Sequence, residues 1–352
     1  MTLTGWFRLL GRNRFAVSPA RIPMALILTA LSFYNSSMRL LQGLVYGRRI
    51  AATELEGAPI FVLGHWRSGT TLLHELLIAD PRHTYPDTYS CFTPNHFLLS
   101  ERFMTWWLKY LLPRHRPMDN MNVSFQHPQE DEWALCNMGL PSIYLHQAFP
   151  NRPLRFQKWF DLRGLPPEAV EQWKQKLHWF LKCLTVKSPK RIVLKTPQHT
   201  CRIRVLLEMF PQARFVHIVR DPAVILPSTV KAWRSMAEYH GLQVSRFEGL
   251  EEMVVENFVQ MYEAFEEERP LIDPARFCEV RFEDLVEDPI GQMRRVYESL
   301  GLDGFDQALP AMEQYVAGKA KYQRNDYELS AEAREKIGRR WGGYAEKYGY
   351  AR

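Results

Sequence analysis

Within the 352-residue chain, the stretch in which residue type and spacing say most about chemistry is Gly64-His65-Trp66-Arg67-Ser68-Gly69-Thr70-Thr71. Two glycines with four residues between them let a backbone turn its N–H groups inward around an anion. The apolar run Ile60-Phe61-Val62-Leu63 ahead of it reads as a buried strand, and Thr70 to Ile78 after it as a helix whose N-terminus adds positive potential. A triphosphate-binding loop carries Lys, then Ser or Thr, after the second glycine. Here Thr70 occupies the lysine position, so the usual contact to β- and γ-phosphates is missing and a kinase or NTPase becomes the alternative rather than the first reading. Arg67 supplies a different, planar cation inside the loop.

A second cluster lies at the end of another apolar run, where Phe215-Val216-His217-Ile218-Val219 leads into Arg220-Asp221-Pro222, with Ser228 eight residues after Arg220. An arginine at a strand's C-terminal edge and a serine one to two turns into the next helix can converge on one phosphate, in the crevice where α/β sheets bind ligands. An Arg–Asp pair beside an unrelated helix serine is the plainer alternative. Lys195 ends the run Ile192-Val193-Leu194 at the same edge, where an ammonium can stabilise negative charge developing on a leaving oxygen. A general base would have to be a carboxylate or imidazole within reach of the acceptor. The run His127-Pro128-Gln129-Glu130-Asp131-Glu132 offers Glu130 first, with Glu132, Asp87 and His127 as alternatives; the same run would also suit an ordinary helix start. His65, His74 and His199 lack metal-ligand spacing, and no metal site is expected.

Positioning these groups requires strand and helix in alternation. Strands are expected at 60–63, 192–194, 215–219 and 277–280, each followed by a helix at 70–78, 203–210, 224–239 and 289–300. That order implies an α/β fold of three layers, a mainly parallel sheet between helices. The Trp- and Pro-rich segment from about 81 to 190 breaks the alternation and reads as a helical substrate-side insertion. Within it Trp173, Leu177, Phe180, Leu181 and Leu184 have helix-core spacing. Residues 1–57 form a helical extension and 58–352 the catalytic domain. In the extension Met24, Ile27, Leu28, Leu31, Met38, Leu41 and Val45 recur at helical spacing, a stripe expected to pack on the domain, with peripheral membrane contact as the alternative. The apolar run there is too short to cross a bilayer and lacks a cleavage site, so no signal peptide is read. Five scattered cysteines without a C-x-x-C pair point to free thiols and a cytoplasmic location. The net charge of +6 is spread among 39 acidic residues, which favours an anionic small molecule over nucleic acid. Glu266-Glu267-Glu268-Arg269 reads as a solvated helix end.

Taken together, these motifs resemble the P-loop sulfotransferase superfamily, and within it the bacterial branch grouped with tyrosylprotein sulfotransferases by an R-S-G-T-T loop. The likeness extends to Leu194-Lys195-Thr196-Pro197, Arg281-Phe282-Glu283-Asp284-Leu285 with Asp288-Pro289, and Leu300-Gly301-Leu302. It implies 3′-phosphoadenosine 5′-phosphosulfate (PAPS) as sulfuryl donor and a metal-free transfer to an acceptor hydroxyl or amine. Arg67, Ser68, Gly69, Thr70 and Thr71 would hold the 5′-phosphosulfate, and Arg220 with Ser228 the 3′-phosphate. Arg67, Lys195 and Glu130 would be the catalytic groups. Pro197 stands where cytosolic relatives carry a catalytic histidine, so that base is absent. Arg116-Pro117-Met118-Asp119-Asn120 and the following Pro128-Gln129-Glu130-Asp131-Glu132 resemble an element recurring in the bacterial branch. A small molecule, lipid, saccharide or peptide would each serve as acceptor, and a non-catalytic nucleotide-binding scaffold at a membrane is the alternative from outside enzymology.

Overall fold

A computed structural model of the chain describes residues 1–108, 124–154, 156–319 and 331–351; the stretch Arg116 to Asn120 lies outside them. In chain order the elements begin with α1 (Leu3–Arg12), α2 (Ile22–Ala52), β1 (Ile60–Leu63), α3 (Thr70–Ile78), β2 (His83–Thr84), α4 (Thr88–Phe92) and α5 (Phe97–Leu108). Next come α6 (Asp131–Asn137), α7 (Lys158–Asp161), α8 (Pro167–Lys187), β3 (Arg191–Lys195), α9 (Ile203–Met209), β4 (Arg214–Val219) and α10 (Pro222–His240). The chain continues through α11 (Leu250–Glu268), β5 (Phe277–Arg281), α12 (Phe282–Glu287), α13 (Pro289–Ser299), α14 (Phe305–Lys319) and α15 (Ala331–Lys347). These elements divide into two compact units, one of residues 1–56, 85–189 and 232–248, the other of residues 57–84, 190–231 and 249–352.

The second unit is built on a five-stranded sheet in the order β2-β3-β1-β4-β5, with every neighbouring pair parallel. Strands covered by helices on both faces need apolar side chains on both, which is why β1 is an unbroken Ile-Phe-Val-Leu run with all four residues buried. Edge strand β5 instead alternates, burying Cys278 and Val280. Strand β2 was not expected, having only two residues to signal it. One face of the sheet packs through Ile60, Val62, Val216 and Ile218 onto Leu73 and Leu76 of α3 and Met293 and Val296 of α13. Truncating one of these, as in Leu76→Ala, costs about 2–5 kcal/mol by lost burial and the cavity left behind. Three ion and hydrogen-bond contacts brace the same unit: Tyr315 donates to Glu75, and Asp80 is held by Arg82 (2.6 Å) and Tyr297 (2.7 Å). Burial pushes the Asp80 carboxyl up, but those two donors outweigh it and bring it down to about 2. Glu268, expected at a solvated helix end, is buried and accepts from the backbone N–H of Arg204 (3.0 Å), so it caps α9 rather than facing solvent.

The first unit gathers the N-terminal helices with the helical segment between β2 and β3. Helix α8 buries its expected stripe of Trp173, Leu177, Phe180, Leu181 and Leu184. Helix α2 departs from expectation: Ile27, Leu31, Leu41 and Val45, four residues of the stripe assigned to packing, are exposed. Its inward side mixes apolar and polar groups: Met24, Ala25 and Leu28 pack against the cluster of Trp6, Leu9 and Leu10, and polar side chains bond beside them. Ser36 Oγ accepts from Leu3 N (2.8 Å), Thr29 Oγ1 accepts from the Trp6 indole (2.8 Å), and Asn35 bridges Met1 O (3.1 Å) and His96 (2.9 Å). These hydrogen bonds, with the packing of Met24, Ala25 and Leu28, set which side of α2 faces the protein and leave the rest of its apolar stripe outside. All five cysteines of the chain are buried free thiols.

Candidate active site

In the second unit the loop after β1 sits at the middle of the sheet, flanked by the ends of β3 and β4. The register fixes this: Val62 pairs with Lys195 at the end of β3, and Leu63 with His217 near the end of β4. Both glycines are required by their surroundings. Gly64 has φ 142°, and a Cβ there would lie 2.8 Å from the Ile218 carbonyl oxygen. Gly69 has φ 105°, and a Cβ there would overlap the Phe282 ring. Between them Arg67 is itself left-handed, with φ 66°. A non-glycine residue persists in that region only when its surroundings over-determine it. Here Arg220 Nη1 donates to the Arg67 carbonyl (2.9 Å) while Arg67 Nε donates to Ser228 Oγ (2.9 Å).

Those two bonds bring together Arg67, Arg220 and Ser228, three residues that the sequence distributes over two motifs. Ser228 meets Arg67 in this structure, joining the two expected phosphate-binding clusters through one hydrogen bond. The Arg220 guanidinium lies over the Phe282 ring at 4.0 Å, and the Tyr344 hydroxyl accepts from Arg220 N and donates to Arg220 O, each at 3.1 Å. Gly64 N donates to Thr200 Oγ1 (2.7 Å) and Thr229 Oγ1 to the Trp66 carbonyl (3.3 Å). Ser68 folds back on His65 O (2.8 Å), and Thr70 opens α3 behind Gly69, whose N-terminal turn carries no acidic residue. A loop of this shape at a helix N-terminus, with two guanidinium groups beside it, suits an anion with more than one phosphate-like group. Lys195 is nearly buried at 6% exposure, next to Thr196 at the C-terminal end of its strand.

The histidines near these motifs have structural surroundings. His65 is enclosed by Trp66, Phe258 and Trp341, and its Nδ1 donates to Trp66 O (3.0 Å). Burial holds its imidazole neutral, lowering its pKa to about 3 against the smaller upward pull of that bond. His74 hydrogen-bonds the Val193 carbonyl (3.2 Å) across α3 and β3, and His199 packs edge-on against Phe61.

The carboxylate candidates belong to the first unit. Pro128 does not begin a helix: it forms an antiparallel bridge with Asp87, Gln129 N donates to Pro86 O (2.8 Å), and α6 starts only at Asp131. Glu130 occupies the N-cap position without using its side chain to cap. Its carboxylate instead accepts from the Tyr144 hydroxyl. Tyr144 stacks on Trp133 at 4.6 Å and tilts against Trp233 at 5.9 Å, while Phe92 also stacks on Trp133 at 6.0 Å. Of the alternatives, Glu132 is buried in the first turn of α6. Asp87 caps α4 through Ser90 N (2.7 Å) and pairs with Lys187 (2.6 Å), which also holds Glu101. The His127 carbonyl accepts from Thr88 N (2.9 Å). Sequence reasoning missed Tyr144, Thr200, Phe282 as a ring under Arg220, and Tyr344. Phe282 lies in a recognised stretch and was within reach, whereas a tyrosine in the last helix carries no spacing signal.

A family model described as "Sulfotransferase family" matches residues 59–307. The omega-hydroxy-beta-dihydromenaquinone-9 sulfotransferases Stf3 of Mycobacterium bovis and Mycobacterium tuberculosis are each 48% identical over 349 residues, covering 99% of this chain and 90% of theirs. Among solved structures, sulfotransferase STF9 from Mycobacterium avium aligns over 94% of this chain and 86% of its own, at 19% identity and a TM-score of 0.72. Sulfotransferase STF1 from Mycobacterium tuberculosis aligns over 96% and 92%, at 21% identity and a TM-score of 0.66. At those identities the two structures speak for the fold, whereas the family match and the 48% relatives speak for the chemistry: the chain belongs to the sulfotransferase family and is a sulfotransferase.

Proposed function

We propose that the second unit binds PAPS and that the enzyme transfers its sulfuryl group to the hydroxyl of a hydrophobic, lipid-type acceptor. The observation that carries the donor assignment is the convergence of Arg67, Arg220 and Ser228 on one side of a glycine cradle that tolerates no Cβ. Loop N–H groups from Arg67 to Thr71 and the start of α3 would hold the 5′-phosphosulfate, with Arg67 neutralising it. Arg220 and Ser228 would hold the 3′-phosphate. In the reaction the bond from sulfur to the bridging phosphate oxygen breaks as the acceptor oxygen bonds to sulfur. Lys195 would stabilise the charge left on the bridging oxygen, and Glu130 would take the acceptor's proton, leaving 3′,5′-adenosine bisphosphate and a sulfate ester. Tyr144, donating to Glu130, would orient the carboxylate.

The first unit is read as the acceptor side. Support comes from the 48% identity to enzymes named for a hydroxylated menaquinone and from the aromatic cluster of Trp133, Tyr144 and Trp233 beside Glu130. Five buried free thiols support a reducing, cytoplasmic setting. Titration calorimetry tests the donor assignment. 3′,5′-Adenosine bisphosphate should bind at least about tenfold more tightly than 5′-AMP, the worth of one charge-assisted contact set, and Arg220→Ala should erase the difference. Equal affinities in the unaltered enzyme would remove the 3′-phosphate site.

A further inference from the structure

We propose that the outward face of α2 is a docking surface for an anionic lipid bilayer. This goes beyond the donor and base assignments and does not depend on them. Helix α2 turns only part of its apolar surface inward: Met24, Ala25 and Leu28 pack on the core and Ile50 is buried. Ser32 and Gln42 are buried, and Thr29, Asn35 and Ser36 make hydrogen bonds within the first unit. Outward stand Leu26, Ile27, Phe33, Leu40, Leu44 and Val45, with Leu44 83% exposed. From Ile22 to Val45 the only polar side chains at exposed positions are Ser37 and Arg39. At 1.5 Å per residue this apolar strip is about 35 Å long. Soluble monomers rarely leave so continuous an apolar surface uncovered.

The shape and charge of the face select the occupant. It is the convex side of a single helix rather than a groove, which suits insertion of aliphatic side chains at the headgroup–acyl boundary. No helix among the described residues is long and apolar enough to cross a membrane, so the contact lies along the surface. Helix α5 packs against α2 and exposes Phe103 and Trp106, residue types that favour the interfacial layer. Cations frame the strip: Arg8, Arg12 and Arg14 in and after α1, and Arg48 and Arg49 at the far end of α2, are all exposed. The first acidic residue of the chain is Glu54. A second copy would bring like charges face to face, whereas phosphate-bearing anionic lipids complement them.

The test is co-sedimentation of the whole enzyme, without nucleotide, with vesicles of phosphatidylcholine alone or mixed with phosphatidylglycerol. The mixed vesicles should capture it, more weakly as salt rises. Leu26→Glu, Leu40→Glu and Leu44→Glu together should lower the bound fraction at least about tenfold. These side chains touch solvent, so thermal unfolding should stay near the unaltered value and identify the loss as one of binding. Arg48→Glu with Arg49→Glu should reduce the preference for the anionic vesicles. Failure of the unaltered enzyme to bind the mixed vesicles, equal capture by both kinds, or binding that survives the triple substitution would overturn the proposal. So would a lipid-free dimer that the triple substitution dissolves, since the face would then belong to a second copy.

Discussion

The two units handle polar groups in opposite ways. Around the loop at 64–71 the shape begins in local sequence, with glycines where no Cβ fits, a strand ahead and a helix behind, and tertiary bonds then fasten Arg67 to Ser228 and Arg220. Around α2, polar residues turn inward beside Met24 and Leu28 to bond Leu3, Trp6 and His96, while Leu26, Ile27, Leu40 and Leu44 are left outside. One arrangement prepares a surface for a small, highly charged ligand, and the other for an extended apolar phase. A phosphate-rich donor and a hydrocarbon-rich acceptor would suit this division of labour within one chain.

That comparison can be broken first at Glu130, the one proposed catalytic group in the first unit. Glu130→Gln keeps an acceptor for the Tyr144 hydroxyl but removes the base, and steady-state rates should fall by roughly 10²–10⁴ while bisphosphate affinity stays unchanged. A rate within a few-fold of the unaltered enzyme would move the base to another group and leave the first unit with a binding role alone. A smaller effect should be confined to the second unit. His65 lies inside the loop, and its pKa is lowered to about 3 in the fold against 6.5 in the open chain. Between those values the unfolded chain binds the extra proton, so stability falls as pH drops below 6.5, by at most about 1.4 kcal/mol per pH unit from this group. Denaturant titrations at descending pH would measure it. His65→Phe, which cannot protonate, should flatten that part of the profile; an unchanged slope would place the acid sensitivity elsewhere.

Much of the second unit was legible because a buried parallel strand must be apolar on both faces. Contiguous runs such as Ile60 to Leu63 and Phe215 to Val219 therefore announce themselves. The helix from Thr70 to Ile78 begins where its glycine does. Strand β2 was not legible, since two residues at an edge make no pattern. Nor was the Arg67–Ser228 bond, formed by residues 161 apart in sequence. In the first unit, periodicity revealed that α2 has an apolar stripe but not which way it faces. Hydrogen bonds from Leu3, Trp6 and His96, with the packing of Met24 and Leu28 on Trp6, Leu9 and Leu10, set that, and those partners lie outside the helix. Glu130 could be picked out by its neighbours Pro128 and Gln129, but the end of the bridge with Asp87 that keeps it out of the helix, and the hydroxyl of Tyr144 that holds it, come from tertiary structure.

The central claim is tested most directly by incubating the enzyme with sulfur-labelled PAPS and a membrane lipid extract, and identifying labelled products by mass spectrometry. Label should appear as a sulfate ester on a hydroxylated lipid, with Lys195→Ala slowing its formation by roughly 10²–10³. Label that remains in the donor, enters only water-soluble acceptors, or is transferred equally fast by Lys195→Ala would contradict the account.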